Sequence, residues 1–222
     1  MQIKWDLTDQ KKLLEAYRED KNTDFHTIMA EIANIPRKSA KTINLGLFYG
    51  MGVGKLSDQL GIDPDEAKAL IRQYNERVPF VRQLADKVSD HAQRKGRVRT
   101  ILGRQCRFDL WEPKSFGVHK AYPHEKAVEE YGSNIGLKRA GTYKSLNRLI
   151  QGSAADQIKK AMVELHKEGI IPMIQIHDEL AISVDSSKEQ QDKIIEVMEK
   201  SLEMEIPSKV DVAIADNWGE TQ

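Results

Sequence analysis

One cysteine, Cys106, is all the chain has, which excludes an internal disulfide and suits a reducing compartment. Long apolar runs are missing as well. None approaches the roughly 18 residues of a membrane-spanning helix, and the start, MQIKWDLTDQKK, lacks the apolar core of a signal peptide, so a cytoplasmic protein without membrane contact is expected. Net charge is absent: 34 Lys and Arg balance 34 Asp and Glu, and attraction to a polyanion has to come from a local patch. There is no internal repeat and no low-complexity tract. What is present, 40% hydrophobic and 31% charged residues in a chain of 222, is enough for one large globular domain or two small ones.

From Leu7 to about Ile35 the pattern is helical and polar, broken near KNTDFH, where Asn22 and Asp24 suit a turn or a cap. In IPRKSAKTINLGLFYGMGVG, Pro36 fits a first helical position, and Gly50, Gly52 and Gly54 read as the end of the segment. GIDPDEAKALIRQYNERVP predicts a capped helix with Asp63 as N-cap, Pro64 just inside, Glu66 in the capping-box position, and Ala67, Leu70, Ile71 and Tyr74 on one face. A helix from about Phe80 to Gln93 leads into RKGRVRTILGRQCRF, a small hairpin around Gly96 and Gly103. Residues 111–136 mix proline, glycine and charge without period and read as an irregular region and a domain boundary. Beyond it, YKSLNRLIQGSAADQIKKAMVELHKEG predicts a long helix whose small residues Gly152, Ser153, Ala154 and Ala155 let another backbone approach. Then come a hairpin over Met173 to Val184, an amphipathic helix over 187–205, and a closing strand in KVDVAIADNW. The order helix, strand, strand, helix, strand makes an α+β layer with an antiparallel sheet.

Four places could carry chemistry. Arg37, Lys41, Leu45 and Tyr49 lie four apart and form one slowly winding stripe. Arg37, Lys38 and Lys41 sit in the first turns, where the helix dipole disfavours each cation by roughly 0.3 to 1 kcal/mol. A triphosphate would compensate; a solvated basic face is the other reading. GMGVG follows a helix and lacks the Lys-Ser/Thr of a phosphate-cradling loop, so it is read as a helix end. Between Arg94 and Arg107, six basic residues, Arg97 and Arg104 among them, occur with no acid and with Phe108 adjacent: a nucleic-acid footprint or a solvated hairpin. Asn147 and Gln151 project together at i and i+4, and their amides suit the minor-groove acceptors shared by all base pairs, or plain solvent. Finally, MIQIHDELAISV places His177, Asp178 and Glu179 at a hairpin tip, either an ordinary acidic turn or a metal-binding one.

Together these segments resemble the family A DNA polymerases, the group of bacterial DNA polymerase I and related phage replicases. RKSAKTINLGLFYG is similar to the family's fingers-helix motif Arg-x3-Lys-x3-(Phe/Tyr)-x3-Tyr-Gly, met by Arg37, Lys41, Tyr49 and Gly50. IHDEL resembles its palm metal motif, GRVRTILGRQCRF its Gly-x-Val-x-Thr-x2-Gly-Arg hairpin, NRLIQGSAADQIKKAM its Asn-x3-Gln-Gly-x-Ala-Ala-Asp helix, and DNW its usual ending, all in the family's order. The resemblance implies an α+β fold with a helical fingers subdomain in residues 1–136, followed by part of an antiparallel-sheet palm in 137–222. It further implies that Arg37, Lys41 and His26 bind the triphosphate of a dNTP, that Lys41 gives a proton to departing pyrophosphate, and that Tyr49 sits near the templating base. Asn147, Gln151 and His177 would follow the minor groove of primer-template DNA, with Arg97 and Arg104 on the same DNA. Asp178 would ligate Mg²⁺ and Glu179 would support it.

Two departures stand out. Leu45 occupies the place where the family more often has an aromatic ring against the incoming sugar. Two-metal phosphoryl transfer also needs carboxylates on both sides of the ion pair. The second Asp of the family comes from an upstream segment resembling Asp-Tyr-Ser-x2-Glu-x-Arg, which this sequence does not contain; Asp6 and Asp9 stand in a different context. The expectation is one half of a split polymerase, completed by a complementary chain that carries the missing Asp motif and the thumb. A non-catalytic nucleic-acid-binding remnant of the fold is the alternative.

Overall fold

A computed structural model describes residues 8–20, 22–49, 51–115, 117–185 and 187–220. Among them no helix is long and apolar enough to cross a membrane. The chain divides into two compact units, Phe25–Gly152 and Met1–Asp24 with Ser153–Gln222.

The second of these includes α1 (Thr8–Glu19). The larger unit starts at α2 (Phe25–Ala33) and α3 (Arg37–Tyr49), which pack together through Met29, Ala33, Ala40 and Ile43, all essentially excluded from solvent. α4 (Val53–Leu60) follows at once. Gly52 is its N-cap and Gly54 lies in its first turn, so these two glycines join helices where the sequence suggested an end; Gly50 is outside the described residues. The αL residue Gly61 closes α4. α5 (Pro64–Arg77) starts as expected: the Asp63 carboxylate accepts from the Asp65 backbone N–H at 2.8 Å with Pro64 in the first position. Ala67 and Tyr74 are buried and Leu70 and Ile71 half-buried on its inner face. Pro79 forces Val78 out of helical conformation (φ −126°, ψ 57°), so α5 stops and α6 (Pro79–Lys95) begins in a new direction.

Gly96, at φ +68°, turns α6 into the hairpin of β1 (Arg97–Arg99) and β2 (Gln105–Arg107). Val98, Phe108, Val88, Ala92 and Leu146 form one core with Leu84, Ala85, Cys106 and Leu149 against it. Residues 111–136 are more regular than their composition predicts. β3 (Leu110–Pro113) pairs antiparallel with both β4 (Tyr122–Pro123) and β5 (Leu137–Arg139), and α7 (His124–Tyr131) lies between the last two. The helix buries only Ala127, which leaves no readable period, and the strands pair with residues distant in sequence. Residue 136 lies inside the larger unit.

α8 (Ser145–Lys167) is continuous, and the division between units falls after its Gly152. A Cβ on Gly152 would stand 2.7 Å from Thr100 Cγ2, so the small residue admits side chains of the β1–β2 hairpin, where the sequence suggested a backbone. In the smaller unit, β6 (Ile174–Ile176) and β7 (Glu179–Ala181) form the expected hairpin, and the Ser187 hydroxyl caps α9 (Lys188–Lys200). Leu165, Ile170 and Ile194 make the core there, with Leu180, Ile182, Val184, Val197 and Met198 around them. The strand expected in KVDVAIADNW does not form. Residues 207–215 are irregular, because an alternating segment becomes a strand only when a neighbour completes its ladder, and neither β6 nor β7 pairs with it. The architecture is α+β, with small antiparallel sheets attached to helices.

Candidate functional site

The first turns of α2 and α3 contain no acidic residue, and Asp24 stands immediately before α2. The two starts are tied: Arg37 Nε donates to Thr27 Oγ1 at 3.2 Å. One residue before Thr27, His26 Nδ1 lies 3.1 Å from the Asn44 amide nitrogen, and the Tyr74 hydroxyl donates to Asn44 Oδ1. Asn44 and Tyr74 are fully buried, and that burial drives the Tyr74 phenol well above its ordinary pKa. Lys41 is exposed between Arg37 and Asn44 on α3, and Leu45, 38% exposed, follows on the same stripe. The structure therefore gathers His26, Arg37 and Lys41 on the paired helices. Tyr49 ends α3, and its side chain is outside the described part.

In the β1–β2 hairpin, the register Arg97↔Arg107, Val98↔Cys106, Arg99↔Gln105 sorts the residues by face. Val98 and Cys106 turn inward, and the three arginines stand exposed on the other side. Arg97 donates to Gln105 Oε1 at 3.2 Å. Arg104 has a structural partner: its Nη2 donates to the Gly152 carbonyl at 2.7 Å, fastening hairpin to α8. Phe108, adjacent to the basic run in sequence, is only 3% exposed; it belongs to the core, with the Arg148 guanidinium 4.9 Å from its centroid. Asn147 is half-buried and Gln151 exposed one turn later on α8.

His177 and Asp178 are the two-residue tip of the β6–β7 hairpin, closed by the pair Ile176↔Glu179. His177 has φ +52°, one of two non-glycine residues with positive φ among those described, in a turn position that ordinarily favours glycine. A Gln175 side-chain N–H donates to the His177 carbonyl at 2.6 Å and braces the turn. Asp178 projects into solvent at the rim of a groove of about 1040 Å³ lined also by Ile174, Glu179, Val212 and Ile214. Glu179 Oε1 accepts from the Trp218 indole N–H at 3.0 Å, so the closing DNW segment reaches back to the hairpin. An exposed carboxylate of this kind is a hard oxygen ligand suited to Mg²⁺. It fits as one member of a site; among the described residues no three His, Cys, Asp or Glu gather closely enough to complete one.

Three contributors were not singled out from the sequence. Asn44 and Trp218 sit inside the quoted motifs, and Asn44 is a polar residue at an apolar position of the helix, which is the signal that marks it. Tyr74 was expected only as a core residue.

Residues 1–220 match the model of DNA polymerase family A, and the chain belongs to that family. Among curated relatives it is 36% identical to a DNA-directed DNA polymerase of Pseudomonas phage M6, over 92% of this chain and 32% of that protein. It is 31% identical to the thermostable DNA polymerase I of Thermus aquaticus, over 96% of this chain and 25% of that one. Among solved structures it is similar to the POL domain of Pol1 from M. smegmatis in complex with DNA primer-template and dNTP, with a TM-score of 0.66 and 28% identity over 88% of this chain and 34% of that chain. The chain thus spans about a third or less of the length of these proteins.

Proposed function

We propose that this chain is the fingers and C-terminal palm portion of a template-directed DNA polymerase working in the cytoplasm. Residues 1–136 act as fingers and 137–222 as palm. The observation that carries the reading is the pairing of α2 with α3, which ties Arg37 to the first turn of α2 beside His26 and puts the exposed Lys41 one turn further along α3. Such an arrangement holds a polyphosphate by helix dipole, ring N–H and cationic side chains together. The relative solved with primer-template and dNTP supports the same assignment.

On this reading the triphosphate lies against His26, Arg37 and Lys41, with Leu45 under the sugar and Tyr49 near the templating base. The primer 3′ hydroxyl loses its proton to solvent as its oxygen bonds to the α-phosphorus, and as the bond to pyrophosphate breaks the Lys41 ammonium gives its proton to the leaving group. Asn147, Gln151 and His177 track the minor groove, while Arg97 and Arg104 face the DNA backbone; Arg104 does so while holding α8. Asp178 would hold Mg²⁺ with Glu179 in support, and the ion would supply Lewis-acid stabilisation of the phosphoryl charge. The second carboxylate comes from outside the described residues, with the thumb.

Primer extension with Mg²⁺ tests this. The purified chain is expected to bind primer-template without extending it, and to extend it once a segment bearing the Asp-Tyr-Ser motif and thumb of a related polymerase is added. Extension by the chain alone would overturn the need for a partner. DNA binding without synthesis in the mixture would favour the non-catalytic remnant.

A further inference from the structure

The polar trio His26, Asn44 and Tyr74 contains an unambiguous direction. Tyr74 is completely excluded from solvent, and Asn44 is the partner of its hydroxyl among the described residues. A buried hydroxyl proton needs an acceptor, so it points at Asn44 Oδ1. This fixes which way the Asn44 amide faces. Its nitrogen is then the atom 3.1 Å from His26 Nδ1, and an amide nitrogen can only donate. Turning the amide over would put its oxygen on the imidazole and leave the Tyr74 proton without an acceptor in a site that excludes water. The donor order therefore runs from Tyr74 to Asn44 to His26.

We propose that Asn44 and Tyr74 are positioning residues that set the tautomer of His26, keeping Nδ1 as an unprotonated acceptor and the ring proton on Nε2. The other ring nitrogen then carries the N–H, a donor, which suits an anionic oxygen and not a second donor or a metal cation. That the anion is a nucleotide phosphate rests on the function proposed above; the tautomer itself rests on the hydrogen-bond order alone. The trio also joins α2, α3 and α5, so the ring orientation is held by three elements rather than by one side chain.

Nitrogen-15 NMR of the imidazole rings in the full chain reads the tautomer directly, with His26 assigned by its loss in His26→Gln. The expected spectrum has a pyridine-like Nδ1 and a protonated Nε2. In Asn44→Asp the carboxylate accepts instead, and the proton should appear on Nδ1. Tyr74→Phe is the milder variant: it removes the hydroxyl that orients the amide and should give averaged tautomers in a folded chain. A wild-type ring protonated at Nδ1, or a Tyr74→Phe spectrum identical to wild type, would overturn the proposal. Titrating a dNTP onto the chain with primer-template, Tyr74→Phe is expected to weaken binding about fivefold. An unchanged affinity beside the expected NMR result would refute the phosphate assignment and leave the tautomer standing.

Discussion

The two units differ in how completely they enclose themselves. In Phe25–Gly152, side chains from Met29 through Tyr74, Val81, Val88 and Val98 to Leu146 are nearly solvent-free, and each helix packs on at least one other element. In the smaller unit the enclosed aliphatics are few, chiefly Ala161, Leu165, Ile170 and Ile194, while Met173, Ile174, Val212 and Ile214 remain between 42% and 70% exposed around the groove. Exposed aliphatics beside a two-stranded sheet and an alternating segment that joins no ladder give the smaller unit an open apolar face. The larger unit is built to hold its shape; the smaller one presents a carboxylate on an unfinished surface.

The largest expected effect lies in that surface. In the complemented enzyme, Asp178→Ala should reduce single-turnover incorporation by about a thousandfold or more, because metal-held charge contributes several kcal/mol to the transition state, while leaving DNA affinity nearly unchanged. Near-normal turnover would return the hairpin tip to an ordinary turn. Next comes packing. Leu165→Ala should cost about 2 to 5 kcal/mol, enough to open the small core, and hydrogen exchange by mass spectrometry should then show fast exchange over 153–220 with 25–152 still protected. Equal loss of protection in both would show that the units do not differ as described. A smaller effect is expected from Asp63→Ala, which removes the α5 cap at a cost of about 1 kcal/mol, read as a shift of the urea midpoint of the larger unit.

The smallest expectation concerns acid. Burial, followed by the neighbouring Arg94, Lys95 and Arg97 charges, lowers the His91 pKa below its ordinary 6.5. As pH falls through 6.5 the unfolded chain takes the proton first, so stability present above that value declines until the lower folded-state pKa is passed. His91→Gln should flatten this slope in urea melts between pH 7 and 5, and an unchanged slope would assign it elsewhere.

What could be read in advance is what is local. The Asp63-Pro64 cap, the Gly96 turn, the two hairpins and the long α8 each announce themselves within a dozen residues, as does the Arg37/Lys41 stripe, whose spacing repeats with the helix. What could not be read depends on partners far away. β3 needs β5 across the whole 111–136 stretch, α7 has one buried residue to betray it, and Asn44 meets Tyr74 at a separation of 30 residues. The Glu179–Trp218 bond spans 39. The closing segment alternates like a strand yet has no ladder to join, because alternation prescribes a face and never supplies the neighbour.

The β3–β5 ladder has a consequence for chain length. Lys114 N–H donates to the Gly136 carbonyl at 2.9 Å directly beside the Pro113↔Leu137 pair, so the two ends of the intervening stretch meet at one gate, with β4 and α7 returning to β3 between them. Behind that gate, Arg139 bonds the Gln93 and Phe108 carbonyls and stacks 4.6 Å from Trp111, and Gln93 answers with bonds to Arg139 and Thr142. Closure entropy grows only logarithmically, about 0.6 kcal/mol for each doubling of the enclosed length. Residues 117–121, outside β3, β4 and α7, are therefore the place for extra length: a reporter peptide or a whole small domain could be spliced there while β4 and α7 stay on β3 and the clasp of Gln93 and Arg139 keeps its grip.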